Sequence, residues 1–200
     1  MISIFEITNT IFSSQTYVIY KKGCETAWIV DIGDVNPLLS FLEKLHLNVE
    51  GVFLTHAHFD HIYGLEALVE KFPECKVYVC EYAKQALASE KLNMSKYHGT
   101  PINYSRDNMV VVKEGESMKL FNEEPEILFY ETPGHNPGCL TMVIGNLIFT
   151  GDAYIPGIGV NTIPPKSDKK LAKISLERIL KLAEGKIVLS GHHIEKSKLD

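Results

Sequence analysis

Thr55-His56-Ala57-His58-Phe59-Asp60-His61 sets three histidines and one aspartate within six residues, directly after the apolar run Gly51-Val52-Phe53-Leu54. GVFLT (51–55) reads as a short buried strand, and LEALVEKF (65–72) as a helix stopped near Pro73. On the extended end of a strand His56 and His58 point the same way, and a turn before the helix directs Asp60 and His61 toward a second centre nearby. Imidazole and carboxylate suit a borderline divalent ion, and four such groups in one turn are costly to bury without a cation. The segment therefore predicts a metal site, with two ions rather than one.

Further ligands are expected at strand ends that face the same edge, and three positions qualify. His135 follows EILFYE in Thr132-Pro133-Gly134-His135, Asp152 follows LIFT in Thr150-Gly151-Asp152, and His192 follows KIVLS in Ser190-Gly191-His192. Glycine beside each lets the backbone turn sharply or approach a metal closely. His193 competes with His192, since two adjacent histidines point in different directions and only one can bind. His46 and His98 have no motif around them and read as surface or supporting residues.

The rest of the chain supplies two blocks of sheet. ISIFEIT (2–8), TYVIY (16–20) and TAWIVD (26–31) are β-rich and separated by turn chemistry, which predicts an antiparallel meander. A helix is expected from Asn36-Pro37, with Asn36 as cap and Leu38, Leu39, Leu42 and Leu45 along one face. KVYVC (76–80) reads as strand, EYAKQALASEKL (81–92) as helix and 93–108 as a long loop. VVV (110–112), MKLF (118–121), EILFYE (126–131), LTMVI (140–144) and LIFT (147–150) form the second block. The loop 155–168 then leads to a helix over 169–185, with Leu171, Ile174, Ile179 and Leu182 near helical spacing and Gly185 at its stop. Two sheets face to face with helices outside each, a four-layer αββα sandwich in the α/β class, accommodate these elements as a single domain over residues 1–200.

Composition narrows the function. The 200 residues are 45% hydrophobic and 22% charged, which excludes collagen-like and disordered classes. A net charge of −5 without a Lys/Arg block gives no footprint for nucleic acid. The N-terminus has no positive side chain before Lys21 and no stretch approaches membrane-spanning length, so a cytoplasmic protein without a membrane partner is expected. Cys24, Cys75, Cys80 and Cys139 lack any framework spacing and read as free thiols in a reducing compartment.

With HisxHisxAspHis at 56–61, ProGlyHis at 133–135, ThrGlyAsp at 150–152 and GlyHis at 191–192, in that order, the chain resembles the metallo-β-lactamase-fold hydrolase superfamily. The resemblance implies the αββα sandwich and a two-metal site in the groove between the sheets. It assigns one ion to His56, His58 and His135, the other to Asp60, His61 and His192, and a bridging role to Asp152. It selects His192 over His193, places Asp31 beside the site as an orienting carboxylate, and leaves Cys139 structural. Zinc is the expected ion, with iron or manganese accepted by similar ligand sets.

Two cations sharing a water or hydroxide supply a nucleophile at neutral pH, which implies hydrolysis of an ester, with Asp60 as the catalytic proton relay. Asp152 argues against β-lactams, because true β-lactamases of the superfamily lack a carboxylate at that position. The glyoxalase II-like branch, acting on a small-molecule thioester, is the expected reading. A lactonase, a phosphodiesterase or a mono-iron persulfide dioxygenase of the same fold is the alternative. Glyoxalase II also carries a C-terminal helical domain, whereas this sequence runs eight residues past His192, which puts the thiol carrier in doubt. Loops 93–108 and 155–168 are expected to flank the groove and set specificity, with Phe59, Tyr63, Tyr97, Tyr104, Ile155 and Asn161 as candidate lining residues and Tyr154 as a groove donor.

Overall fold

The computed structural model describes residues 2–121 and 123–193, so the last seven residues of the single-domain reading lie outside it. Strands β1 (Ile2–Thr8), β2 (Gln15–Lys21), β3 (Thr26–Val30), β4 (Asn48–Phe53), β5 (Lys76–Val79) and β6 (Met109–Val111) form a six-stranded sheet in that order. The first three pair antiparallel, as the alternating runs and short turns predict, and β3 to β6 pair parallel. Parallel neighbours need a crossover. Helices α1 (Val35–Lys44), α2 (Leu65–Lys71) and α3 (Glu81–Leu87) lie between successive strands of that run.

The second sheet is ordered β11-β10-β9-β8-β7, from β7 (Ser117–Leu120), β8 (Glu123–Glu131), β9 (Leu140–Ile144), β10 (Leu147–Gly151) and β11 (Ile187–Ser190), with only β10 and β11 parallel. Helix α4 (Lys169–Leu182) joins that pair. The inner faces meet through rings: Phe53 packs on Phe129 at 5.7 Å and Tyr17 on Phe149 at 5.5 Å. Alternation along the strands then sends Val143 and Ile148 outward to Ile179 of α4, while Met142 and Phe149 join the main core. The result is the expected αββα sandwich.

Three local expectations are corrected. Asp34, not Asn36, precedes α1, and its carboxylate does not cap the helix. It accepts instead from Thr10 N, Thr10 Oγ1 and Tyr63 Oη, tying the β1–β2 connection to the chain beyond the histidine segment. Helix α3 ends at Leu87 rather than continuing to 92, because the Leu87 carbonyl accepts from Tyr104 N at 2.8 Å. Leu171 and Ile174 of α4 are exposed, and the buried face is Ala172, Ser175 and Ile179. Small residues are required there because the helix sits against the Pro133-Gly134 turn: a Cβ on Gly134 would lie 2.3 Å from Ala172 Cα.

Candidate metal centre

The segments after β4, β8, β10 and β11 reach one edge of the sandwich, and there the seven side chains singled out by the sequence converge. Leu140 N donates to Thr55 O at 2.7 Å, which pins the start of the histidine segment to the second sheet. A single 3₁₀ turn, Phe59–His61, then swings Asp60 and His61 inward. His56, His58 and His135 bring one ligand atom each to within 4.8 Å of one another, as do His56, His61 and Asp152, and Asp60, His61 and His192. Asp152 sits centrally: Oδ1 is 3.4 Å from His61 Nε2, and Oδ2 is 3.4 Å from His135 Nε2 and 3.2 Å from His192 Nε2. The Gly191 backbone lies so close that an added Cβ would be 2.1 Å from Asp152 Oδ1.

Four of the five imidazoles are fixed by an acceptor on their outer nitrogen. His135 Nδ1 donates to Asn161 O at 2.7 Å and His192 Nδ1 to Phe12 O at 2.9 Å. His61 Nδ1 donates to Asp31 Oδ2 at 2.8 Å. Thr55 Oγ1 donates to the same carboxylate at 2.6 Å, so it accepts from His56 Nδ1 at 3.2 Å. The Nε2 of each faces inward, as a lone pair on His56 and His135, while His192 Nε2 donates to Asp152 Oδ2 at 3.2 Å; outer partners orient metal-ligating histidines in this way. His58 differs. Asn136 Nδ2 donates to its Nε2 at 3.0 Å, so its Nδ1 carries the proton shared with His135 Nε2 at 2.9 Å. Gly138 N holds that amide by donating to Asn136 Oδ1, so His58 must change tautomer before Nδ1 can accept a cation.

Burial and charge act in opposite directions here. Burial, reinforced by His61 and His58, pushes the His56 pKa well below its ordinary value, and burial beside His135 lowers His58 to about 3. Burial also opposes a charge on His61, yet Asp60, Asp152 and Asp31 outweigh it and hold its pKa well above normal. Burial of Asp152 is likewise outweighed, chiefly by His61, so its carboxyl titrates well below the usual range. His56 Nε2, His61 Nε2 and Asp152 Oδ1 are buried and make no hydrogen bond. Orphaned inward donors of this chemistry fit one or two divalent ions.

Sequence reasoning also meets the structure around the centre. His192 points into the cluster, and His193 is exposed at its rim. Asp31 bonds Thr55 N, Thr55 Oγ1 and His61 Nδ1, the orienting position expected of it. Cys139 is buried against α4 with its thiol pKa pushed up by burial, and all four cysteines are free. Phe59, Ile155 and Asn161 line the cavity over the centre, whereas among the described residues Tyr63, Tyr97 and Tyr104 do not. Tyr63 bonds Asp34, Tyr97 faces solvent and Tyr104 is buried against Asn108. Tyr154 packs with the α4 cluster instead of reaching the groove. Phe12, Met94 and His98 also line the cavity, from irregular segments whose sequence does not single them out as lining residues. Only the aromatic character of Phe12, between two strands, hinted at it.

Comparison with known proteins agrees with this geometry. The family model described as the metallo-beta-lactamase superfamily matches residues 10–192. The chain is 26% identical over 193 residues to a hydroxyacylglutathione hydrolase of Hydrogenovibrio crunogenus, covering 96% of this chain and 63% of that protein. It therefore spans less than two thirds of that relative's length. A solved structure described as BLEG-1 B3 metallo-beta-lactamase matches with a TM-score of 0.85 and 28% identity, covering 96% of this chain and 92% of that one. TTHA1623 in a di-iron-bound form matches at 0.79 and 26%, covering 98% and 96%.

Proposed function

The chain belongs to the metallo-beta-lactamase superfamily, and from that premise we propose that it is a dinuclear metal-dependent hydrolase of small-molecule thioesters. The observation that carries this reading is the convergence of five imidazoles and two carboxylates, four of the imidazoles already oriented by acceptors outside the cluster. His56, His58 and His135 would hold one ion and Asp60, His61 and His192 the other, with Asp152 between them. Divalent ions bound by these residues would supply a water of lowered pKa and a Lewis acid for the substrate carbonyl. Zinc is the proposed ion, and the likeness to a di-iron-bound protein makes iron the second choice.

The chain's own groups do the rest. Asp60 lies on the cavity floor with Oδ2 3.4 Å from His192 Nε2. Its carboxylate takes the proton released when water adds to the carbonyl and returns it to the departing sulfur. Asp31 fixes the His61 tautomer, and Thr55 links that carboxylate to His56. The substrate is a small molecule in a cytoplasmic setting, with neither nucleic acid nor membrane as partner. Among the described residues no helix is long and apolar enough to cross a membrane. The hydroxyacylglutathione hydrolase relative supports the thioester class; the likeness to BLEG-1 raises β-lactam hydrolysis as a second reading, against which the central Asp152 stands.

Zinc-reconstituted protein of measured metal content tests both, assayed on S-D-lactoylglutathione, on neutral acyl thioesters of N-acetylcysteamine, and on benzylpenicillin. The expected result is a thioester kcat/KM above about 10⁴ M⁻¹s⁻¹ that His58→Ala and Asp60→Ala abolish. Two bound metals with no thioester cleaved would overturn the reading, and penicillin turnover in its place would establish the second. A single iron with oxygen uptake on a persulfide would replace hydrolysis by oxidation.

A further inference from the structure

The cavity over the candidate centre has a volume of about 760 Å³, within the range of sites that enclose a small ligand. Its floor is polar, and its walls are largely apolar, with Thr8, Ser13, Asn161 and His193 the polar exceptions. One wall is aromatic: Phe59 and His98 stack with centroids 4.0 Å apart and planes 6° apart, and Phe12 meets both edge-on at 5.5 Å. A second part of the lining is aliphatic and comes from the 155–168 loop, through Ile155, Ile158 and Ile163. Phe12 is 60% exposed, Ile158 59% and Ile163 89%. Single exposed apolar side chains need no explanation, but three gathered at the mouth of one cavity mark a binding surface.

Among the described residues, no Lys or Arg lines this cavity. A thiol carrier is a polar molecule, so apolar walls match the acyl half of a thioester. We propose that the cavity selects its substrate by a neutral apolar acyl group, an alkyl chain or aryl ring laid between the Phe12–Phe59–His98 wall and the Ile155–Ile158–Ile163 wall. The proposal rests on the hydrolase reading above and names its substrate class. Phe12, Ile158 and Ile163 are then the residues that set specificity, while the floor performs the chemistry on whatever carbonyl they deliver.

Two measurements test it. The first follows kcat/KM of the zinc-loaded protein on N-acetylcysteamine thioesters from acetyl to octanoyl, with S-D-lactoylglutathione alongside. The expected gain is about fourfold per methylene, the factor that burying one CH₂ supplies, with hexanoyl well above lactoyl. Ile163→Ser and Ile158→Ser should each lower hexanoyl turnover about tenfold, while acetyl turnover changes by less than about twofold. The second uses metal-free protein and displaces Nile red from the cavity with acetamide, hexanamide and octanamide. Affinity rising with chain length, and lost in Ile163→Ser, supports the apolar cavity even if no thioester is cleaved, in which case only the hydrolase reading falls. Turnover that is flat across the acyl series, or variants that slow acetyl and hexanoyl alike, would overturn the proposal and leave the hydrolase reading intact.

Discussion

Beneath the floor of the cavity, Asp31, Thr55, His56 and His61 are buried and their outward atoms are all engaged; at its rim Phe12, Ile158 and Ile163 stand largely in solvent. The floor carries its order in hydrogen bonds that fix which edge of each imidazole faces inward, so much of the reactive geometry exists before any ligand arrives. The rim stores its capacity as apolar surface still exposed to water, which a substrate gains by covering. Reaction type and substrate preference are thus built from different physics in neighbouring residues. Changes at the floor should alter chemistry and stability, and changes at the rim should alter selection alone.

The largest effect should follow loss of a floor ligand. His58→Ala, or stripping metal with a chelator, is expected to lower thioester turnover by on the order of 10³, the scale of losing one preorganised electrostatic element. Turnover and metal content measured together check this, and a comparable loss in Ile163→Ser would erase the distinction between floor and rim. Next comes Asp31→Ala, which removes the acceptor for Thr55 N, Thr55 Oγ1 and His61 Nδ1. Urea unfolding of the metal-free protein should show a loss of about 3 kcal/mol, since breaking a buried network leaves its donors without partners. Metal affinity should fall about 10–100-fold in the same variant.

Affinity should also depend on pH in a direction that the cluster's own charges set. His61, held above its ordinary pKa by three carboxylates, and His192, raised by Asp152, keep protons that a cation must displace. His56 and His58, pushed down by burial, are already neutral. Metal binding near neutral pH is therefore expected to release protons and to weaken about tenfold per pH unit as pH falls, for each proton displaced. Calorimetry in buffers of different ionisation enthalpy measures that release, and a pH-independent affinity would contradict it. The smallest effect belongs to the rim: Ile163→Ser should leave unfolding free energy within about 0.5 kcal/mol of the parent, because the side chain buries almost nothing.

Legibility in the sequence follows the same division. Histidine and aspartate after short strands and glycines are local signals, and the structure gathers all seven of those side chains at one edge. Asn36 lies inside α1, and the residue before the helix, Asp34, is held by Thr10 and Tyr63, contacts that no helix pattern records. The true end of α3 depends on Tyr104, seventeen positions on, taking the Leu87 carbonyl. The exposed face of α4 reflects close approach to Gly134, which spacing in the helix itself cannot show.

From the sequence alone came the sandwich architecture, its family and the identity of the groups that meet at the centre, because strand alternation and side-chain chemistry are properties of short stretches. Tertiary structure decided which nitrogen of each imidazole faces inward, which of His192 and His193 turns in, and which apolar residues wall the cavity. Those depend on partners such as Asn161, Phe12 and Asn136 that arrive from other segments. A hydrogen-bond acceptor or a packing neighbour far along the chain leaves no periodic trace, so only the folded arrangement could select it.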